Sequence, residues 1–103
     1  MILSQKLEKK TFDIANHYTF DDQVDVLIEE MSELTKALLK NRRAKKGYTQ
    51  ATIKETIQNI KEEIADVEIM LQQVVYLSDS EDEVLNIIDE KTSRQLKRIA
   101  KEQ

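Results

Sequence analysis

Apolar residues recur every three to four positions along most of the chain, the spacing that places them on one face of an α-helix. On this basis we predict four helices, covering roughly residues 4–18, 21–44, 52–77 and 81–101. The first helix carries its apolar spacing on Leu3, Leu7, Ile14 and Tyr18. No linker or low-complexity stretch interrupts the pattern, so residues 1–103 are expected to form a single domain.

The residues at the predicted helix ends are those that helix termini favour. Thr19 can cap the second helix, and acids follow it in the first turn, where the helix dipole favours negative charge. Gly47 offers a stop after that helix, since glycine adopts the left-handed conformation at little cost. Capping-box spacing predicts the starts of the third and fourth helices, at Thr52 with Glu55 and at Ser80 with Glu83.

Composition supports an all-α fold. The 103 residues include one glycine and no proline, whereas a sheet protein needs more of both for its tight turns. Charged residues make up 35% and hydrophobic residues 40%, as expected of amphipathic helices. A chain this small has one modest core, so part of its apolar surface is expected to be buried against other copies of the chain.

Charge and targeting signals narrow the class of protein. The net charge is -4, and this argues against nucleic-acid binding, which usually requires a basic surface. The absence of cysteine excludes disulfides and thiolate metal ligands. The first residues show no signal-peptide pattern, and no apolar stretch is long enough to span a membrane. We therefore expect a soluble, cytoplasmic protein.

Two short clusters of acids stand out in the second and third predicted helices. One reads EEMSE from Glu29, and the other reads EEIAD from Glu62. A shift of about 33 residues superposes the two clusters together with their apolar neighbours, which is a weak internal repeat. In each cluster the last two acids lie three residues apart, so they occupy neighbouring parts of one helix face: Glu30 with Glu33, and Glu63 with Asp66.

The helical phase of these acids predicts partial burial. On a helical wheel, Glu30 and Glu63 each fall inside the apolar sector, with apolar residues on both sides. Burying an unpaired carboxylate costs several kcal/mol, and a divalent cation would offset that cost. Without a cation, some of the acids should have raised pKa values. The simpler alternative is that they are solvated or paired with lysines. Glu29 and Glu62 point away from the core and are expected to face solvent or lie behind the ligands.

The types of candidate ligand restrict the choice of metal. All four acids offer oxygen, and the single histidine, His17, is not at the Glu-x-x-His spacing of di-iron bundles. Zinc would favour histidine or cysteine. Oxygen-only coordination suits magnesium, manganese or calcium, and the acids do not lie in an EF-hand loop. Magnesium takes part of its shell from substrate phosphates, which points to nucleotide chemistry.

The two acidic stretches resemble those of a known family. Glu29-Glu30-x-x-Glu33 followed by Glu63-x-x-Asp66, within LIEEMSELTKALLK and IKEEIADVEIMLQQ, is similar to the motif of the all-α nucleoside triphosphate pyrophosphohydrolases. This MazG-like superfamily also contains the dimeric dUTPases. The resemblance is strongest over residues 23–73. Two departures concern the substrate: the spacer between the motifs is long for the MazG pattern, and the chain has no tryptophan.

The resemblance implies a fold and a reaction. It implies a four-helix, MazG-like bundle completed by oligomerisation, as a dimer or a tetramer. It implies a magnesium-dependent hydrolase, with manganese as a possible substitute, that converts a nucleoside triphosphate to the monophosphate and pyrophosphate. The metal would polarise the phosphate and lower the pKa of a bound water. The residues that match the family's metal ligands and catalytic acids are Glu30, Glu33, Glu63 and Asp66.

Substrate contacts are predicted less directly. Lys91, Arg94 and Arg98 lie on one face of the fourth helix, where the family often holds phosphates, although a solvated basic stripe explains them equally well. Lys36 is a further phosphate candidate. Asn59, one turn before Glu63, could bond a metal-bound water or the sugar, and His17 could contact the base.

Two other hypotheses about the function stay open. One is a non-catalytic helical interaction module, whose acids form salt bridges with Lys36, Lys91 or Arg94 of other subunits. The other is a member of the family that binds metal or nucleotide without turnover.

Overall fold

The computed structural model describes residues 4–102 and confirms the all-α prediction. It contains four helices and, within those residues, no strand. The helices are α1 (Gln5–Ala15), α2 (Phe20–Lys45), α3 (Ile53–Leu77) and α4 (Glu81–Glu102). The bounds of α2, α3 and α4 agree with the predicted ones to within one residue.

Two helix starts form the predicted caps and one does not. The Thr52 hydroxyl accepts from the Glu55 N–H at 3.0 Å and the Glu55 carboxylate accepts from the Thr52 N–H at 3.1 Å, a complete capping box. Thr19 caps α2 in the same way with Asp22. The box predicted for Ser80 and Glu83 was wrong. The Ser80 hydroxyl instead forms a hydrogen bond of 2.7 Å with the Ser78 hydroxyl in the α3–α4 turn.

Both long helices end in the same backbone arrangement. After α2, Gly47 has a φ of 74°, and the Tyr48 N–H donates to the Arg43 carbonyl at 2.9 Å. This is the Schellman stop, and it confirms the role predicted for Gly47. After α3, Asp79 takes the equivalent position with a φ of 51°, although its side chain makes that conformation more costly than it is for glycine.

Helix α1 differs from its prediction. It ends at Ala15 and not at Tyr18, and the residues buried on it are Thr11 and Ala15. Leu7, Ile14 and Tyr18, which carried the predicted apolar face, are each about half exposed, and Leu3 lies outside the described residues. The smaller side chains allow α1 to approach α3 closely. Phe12 of α1 then stacks on Tyr76 of α3, with ring centroids 4.3 Å apart.

The core lies between α2 and α3, which pack as an antiparallel pair. Leu27 of α2 and Val67 and Met70 of α3 are its buried centre, and partly buried apolar residues surround it: Val26, Leu34 and Val74. Helix α1 covers one side of α3. This pair therefore provides most of the buried interior of the chain.

Helix α4 is the least packed part of the molecule. It contacts α3, but none of its residues is buried. The radius of gyration is 17.0 Å, whereas about 13 Å is typical of a compact chain of this length. Within residues 4–102, no helix combines the length and the apolar character needed to cross a membrane.

Candidate metal centre

The interface between α2 and α3 follows a heptad-like spacing. A run of buried or half-buried positions on α2 is spaced alternately by three and four residues, and so is a run on α3. On α2 they are Gln23, Leu27, Glu30, Leu34, Ala37 and Asn41; on α3 they are Thr56, Ile60, Glu63, Val67, Met70 and Val74. We call these twelve positions the α2/α3 seam. Glu30 and Glu63 therefore occupy positions at which a helix pair normally carries apolar residues.

Three carboxylates converge at the middle of the α2/α3 seam. Glu30, Glu63 and Asp66 each offer an oxygen, and these oxygens lie within 4.8 Å of one another. Two oxygens bound to one cation at about 2.0–2.6 Å lie at most about 5 Å apart, so the three side chains fit a single divalent ion. Glu30 and Glu63 are half-buried, and Asp66 is exposed. The site is thus half-buried at its two glutamates and open to solvent at Asp66.

The electrostatics of this cluster favour a cation. Burial raises the pKa of Glu30 above its ordinary value, and repulsion from Asp66 and Glu63, and then from Glu33 and Glu29, raises it further. The Oε2 atom of Glu63 is buried and has no hydrogen-bond partner among the described residues. Unpaired buried carboxylate oxygens are costly. The raised pKa of Glu30 agrees in direction with the rise expected for some of the acids.

The fourth predicted ligand lies apart from the other three. Glu33 is exposed, and one of its oxygens lies 3.3 Å from the Lys36 ammonium group. Glu33 lies three residues after Glu30 on α2, at the edge of the α2/α3 seam. Its side chain extends along α2 towards Lys36. The four-acid set is thus reduced to three converging carboxylates. Glu29 and Glu62 are exposed, as predicted from their helical phase.

The residues predicted to contact substrate are scattered. Asn59 is half-buried, one turn before Glu63 on α3. Lys36 is exposed beside Glu33. His17 is exposed in the turn after α1, where its ring meets that of Tyr18 edge-on with centroids 6.0 Å apart. On α4, three basic residues are exposed and form no ion pair with any acid of residues 4–102: Lys91, Arg94 and Arg98.

Sequence reasoning missed two features near the site. The first is a pair of buried polar contacts in the interface of α2 and α3. In the sequence they correspond to polar residues at helical positions where the two helices otherwise carry apolar residues. The second is an open apolar groove between α1 and α3, floored by Ile64, Ala65 and Ile69 and edged by Lys10 and Lys61. Its signal in the sequence is the apolar spacing of α1, two members of which, Leu7 and Ile14, line the groove.

Comparison of the chain with protein-family models, with curated proteins and with solved structures finds no match in any of the three. The resemblance to the MazG-like family therefore rests on the motif residues themselves. Its functional meaning has to be judged from the geometry around Glu30, Glu63 and Asp66.

Proposed function

We propose that the protein is a magnesium-dependent nucleoside triphosphate pyrophosphohydrolase. It would cleave the bond between the α- and β-phosphates of an NTP or dNTP with water, giving the monophosphate and pyrophosphate. The observation that carries this proposal is the convergence of Glu30, Glu63 and Asp66 within 4.8 Å at the half-buried centre of the helix pair. The motif resemblance supplies the reaction class, and the cytoplasm, where nucleotide pools lie, is the compartment we propose.

The donor set supports magnesium, with manganese as a substitute. Three carboxylates supply hard oxygen ligands, and magnesium commonly completes its shell with water and substrate phosphates. When bound, the metal would polarise the phosphate and lower the pKa of an attacking water. The buried Oε2 of Glu63, which has no partner among residues 4–102, supports this fit, because a cation would satisfy it.

Glu33 remains in the proposal as an acid at the rim of the site. Its carboxylate is held only by an exposed contact with Lys36, and such contacts are worth about 0–1 kcal/mol. Rotation of Glu33 towards the three other acids would release Lys36. The freed ammonium group could then contact a substrate phosphate, and Asn59 could bond a water or the sugar.

We further propose that the protein works as a homo-oligomer, either a dimer or a tetramer. Support comes from α4, on which five apolar side chains stay largely uncovered in the described chain: Leu85, Ile87, Ile88, Leu96 and Ile99 are 39–68% exposed. A second copy would bury them and complete the bundle. It could also bring Lys91, Arg94 and Arg98 near an acidic site that they do not reach within the chain, and His17 near the base.

Light scattering coupled to size exclusion tests the assembly. We expect the wild-type chain to elute as a dimer or tetramer and Leu96→Lys to shift towards monomer, because the substitution places a charge on the face of α4 that the proposed assembly would bury. Tyr48→Lys is a matched control, since Tyr48 is also an exposed apolar residue but lies in the α2–α3 turn. A wild-type monomer at all concentrations would contradict the proposed assembly.

Turnover tests the activity directly. The purified protein is incubated with magnesium and a panel of canonical and modified nucleoside triphosphates, and the monophosphate and pyrophosphate are quantified. We expect both products with at least one substrate, and their loss with EDTA and in Glu63→Gln. Glu62→Gln is the matched control, because it removes an identical charge from the preceding residue, which is exposed. We expect Glu62→Gln to stay active.

The competing candidate is a non-catalytic interaction module. The observation in its favour is the ion pair between Glu33 and Lys36, because it shows a motif acid bound to one of the bases that this reading invokes. This candidate predicts no turnover and no effect of magnesium on stability. A protein that binds magnesium and nucleotide without turnover would instead indicate the third reading, a member of the family that has lost catalysis.

A further inference from the structure

Two buried polar contacts join α2 to α3, one on each side of the three acids. The Gln23 amide donates to the Gln73 amide oxygen at 2.6 Å, and the two residues are only 5% and 1% exposed. The Asn41 amide donates to the Thr56 hydroxyl at 3.1 Å, and these residues are 6% and 4% exposed. These are among the most buried side chains of the described residues, although an apolar pair would be the ordinary choice at such positions.

The second contact is fully satisfied and has a fixed direction. The Thr56 hydroxyl donates its own proton to the Ile53 carbonyl at 2.9 Å, so towards Asn41 it can act only as an acceptor. A shift of α2 along α3 would separate Asn41 from Thr56 and Gln23 from Gln73 simultaneously. Each buried amide would then lose its partner, which is much more costly than losing an apolar contact.

The placement of the two contacts matches the placement of the acids. Gln23 lies two helical turns before Glu30 on α2, and Gln73 lies two turns after Asp66 on α3. Thr56 lies two turns before Glu63. Asn41 lies about three turns after Glu30. The two contacts therefore lie two to three turns from the acids on opposite sides, at the two ends of the same helix pair.

The rest of the interface does not specify the alignment of α2 with α3 as strongly. Its apolar positions repeat with heptad-like spacing, so a shifted pairing would again place apolar residues opposite one another. The connection over residues 46–52 can span more than 20 Å when extended, whereas packed helices lie about 8–10 Å apart. The connection alone therefore leaves room for a shift of one turn, about 5.4 Å.

We infer that Gln23 with Gln73 and Asn41 with Thr56 are positioning residues, which fix the axial register of α2 on α3 and so bring Glu30, Glu63 and Asp66 to one level. This inference rests on the proposed function in taking the three acids to be a metal site. Single buried polar pairs that set the register of packed helices are known from coiled coils, where they lower stability in exchange for a unique alignment.

The test replaces both members of each pair, which separates positioning from stability. The variant Gln23→Leu/Gln73→Leu/Asn41→Leu/Thr56→Val removes both members of each contact and so creates no new unpaired buried polar group. The fold is therefore expected to persist with an equal or higher urea midpoint. Manganese affinity, measured by calorimetry with the metal alone, is expected to fall by about tenfold or more, the scale seen when the support of a metal site is removed.

Register is read independently by the distance between two spin labels. The chain has no cysteine, so Asp25→Cys on α2 and Gln58→Cys on α3, both at exposed positions, give one labelled pair. Labelled protein is diluted with unlabelled protein so that only the distance within one chain is measured. We expect one narrow distance in the parent and, in the fourfold variant, a broadened distance or one shifted by about 5 Å, one turn.

Tyr76→Phe is the matched control. It also removes a polar contact made by α3, the 3.0 Å hydrogen bond from the Tyr76 hydroxyl to the Asn16 side chain, but this contact reaches α1 and not α2. We expect it to leave both the label distance and manganese affinity unchanged.

An unchanged distance in the fourfold variant would overturn the inference, whether or not manganese affinity falls, because the effect would not pass through the register. An altered distance with unchanged affinity would overturn the link to the acids. If the parent protein itself binds no manganese, the proposed function fails, and the label distance still decides whether the polar pairs set the register.

Discussion

The α2–α3 pair and α4 are both long amphipathic helical regions, yet the structure uses them in opposite ways. The pair holds the buried residues of its two helices in one heptad-like interface and places polar and acidic side chains there. Helix α4 has an apolar side and no buried residue at all. An apolar face by itself therefore does not build a core. The α2–α3 pair buries residues of both helices, whereas α4 buries none of its own.

The largest predicted effect contrasts a residue in the pair with one in α4. Met70→Ala should lower the free energy of unfolding by about 2–5 kcal/mol, since it opens a cavity among Leu27 and Val67. Leu96→Ala, on the exposed side of α4, should change the stability of the monomer by no more than about 0.5 kcal/mol. Urea unfolding at a concentration where the chain is monomeric measures both.

Equal losses of unfolding free energy in Met70→Ala and Leu96→Ala would contradict the difference between the α2–α3 pair and α4. They would mean that α4 contributes as much to the folded monomer as the α2/α3 seam does, which its exposure contradicts.

The second prediction concerns the acids inside the pair. Because the pKa of Glu30 is raised in the folded state, the charged carboxylate destabilises the fold near pH 7. Glu30→Gln should therefore stabilise the metal-free protein by roughly 1 kcal/mol at pH 7. The gain should shrink as the pH falls through the raised pKa towards the ordinary carboxyl range, because Glu30 is then protonated in both the folded and the unfolded state.

Urea unfolding at pH 7 and at a pH near 4 measures this gain, with EDTA present. Glu29→Gln is the control, since Glu29 precedes Glu30 and is exposed, and it should change little at either pH. A loss of stability in Glu30→Gln at pH 7 would show that the carboxylate is stabilised by a partner and not repelled by its neighbours.

The smallest predicted effect lies at the junction of the two regions. Asp79 ends α3 with a φ of 51°, where glycine is the residue of least strain. Asp79→Gly should raise stability by about 0.5–1 kcal/mol, the scale of fitting a residue to its backbone conformation. Thermal unfolding checks this, and Gly47→Ala should change stability in the opposite direction, because Gly47 has a φ of 74° at the equivalent stop.

The helices and the candidate acids were accessible from sequence because both depend on local periodicity. Thr19 and Thr52 cap the starts of α2 and α3, and Gly47 ends α2, each at its predicted position. The partial burial of Glu30 and Glu63 follows from their phase within the apolar positions. These features require only the geometry of a single helix.

The features that sequence missed depend on how helices meet. Thr11 and Ala15 face α3 in place of Leu7 and Ile14 because small residues allow a closer approach, which helical spacing alone does not reveal. Glu33 lies beside Lys36 on the same helix, so three of the four predicted acids converge, and the ligand role of Glu33 stays a prediction. The exposure of α4 likewise depends on packing between helices, because its amphipathic spacing is the same as that of a buried helix.

Direct metal titration tests whether Glu30, Glu63 and Asp66 form one divalent cation site. Calorimetry with Mg²⁺ and with Mn²⁺ should give about one ion per chain, with binding lost in Glu63→Gln and retained in Glu62→Gln. Proton release on binding should increase as the pH is lowered towards the raised pKa of Glu30. Equal binding by the two variants, or none by the wild-type protein, would contradict the account.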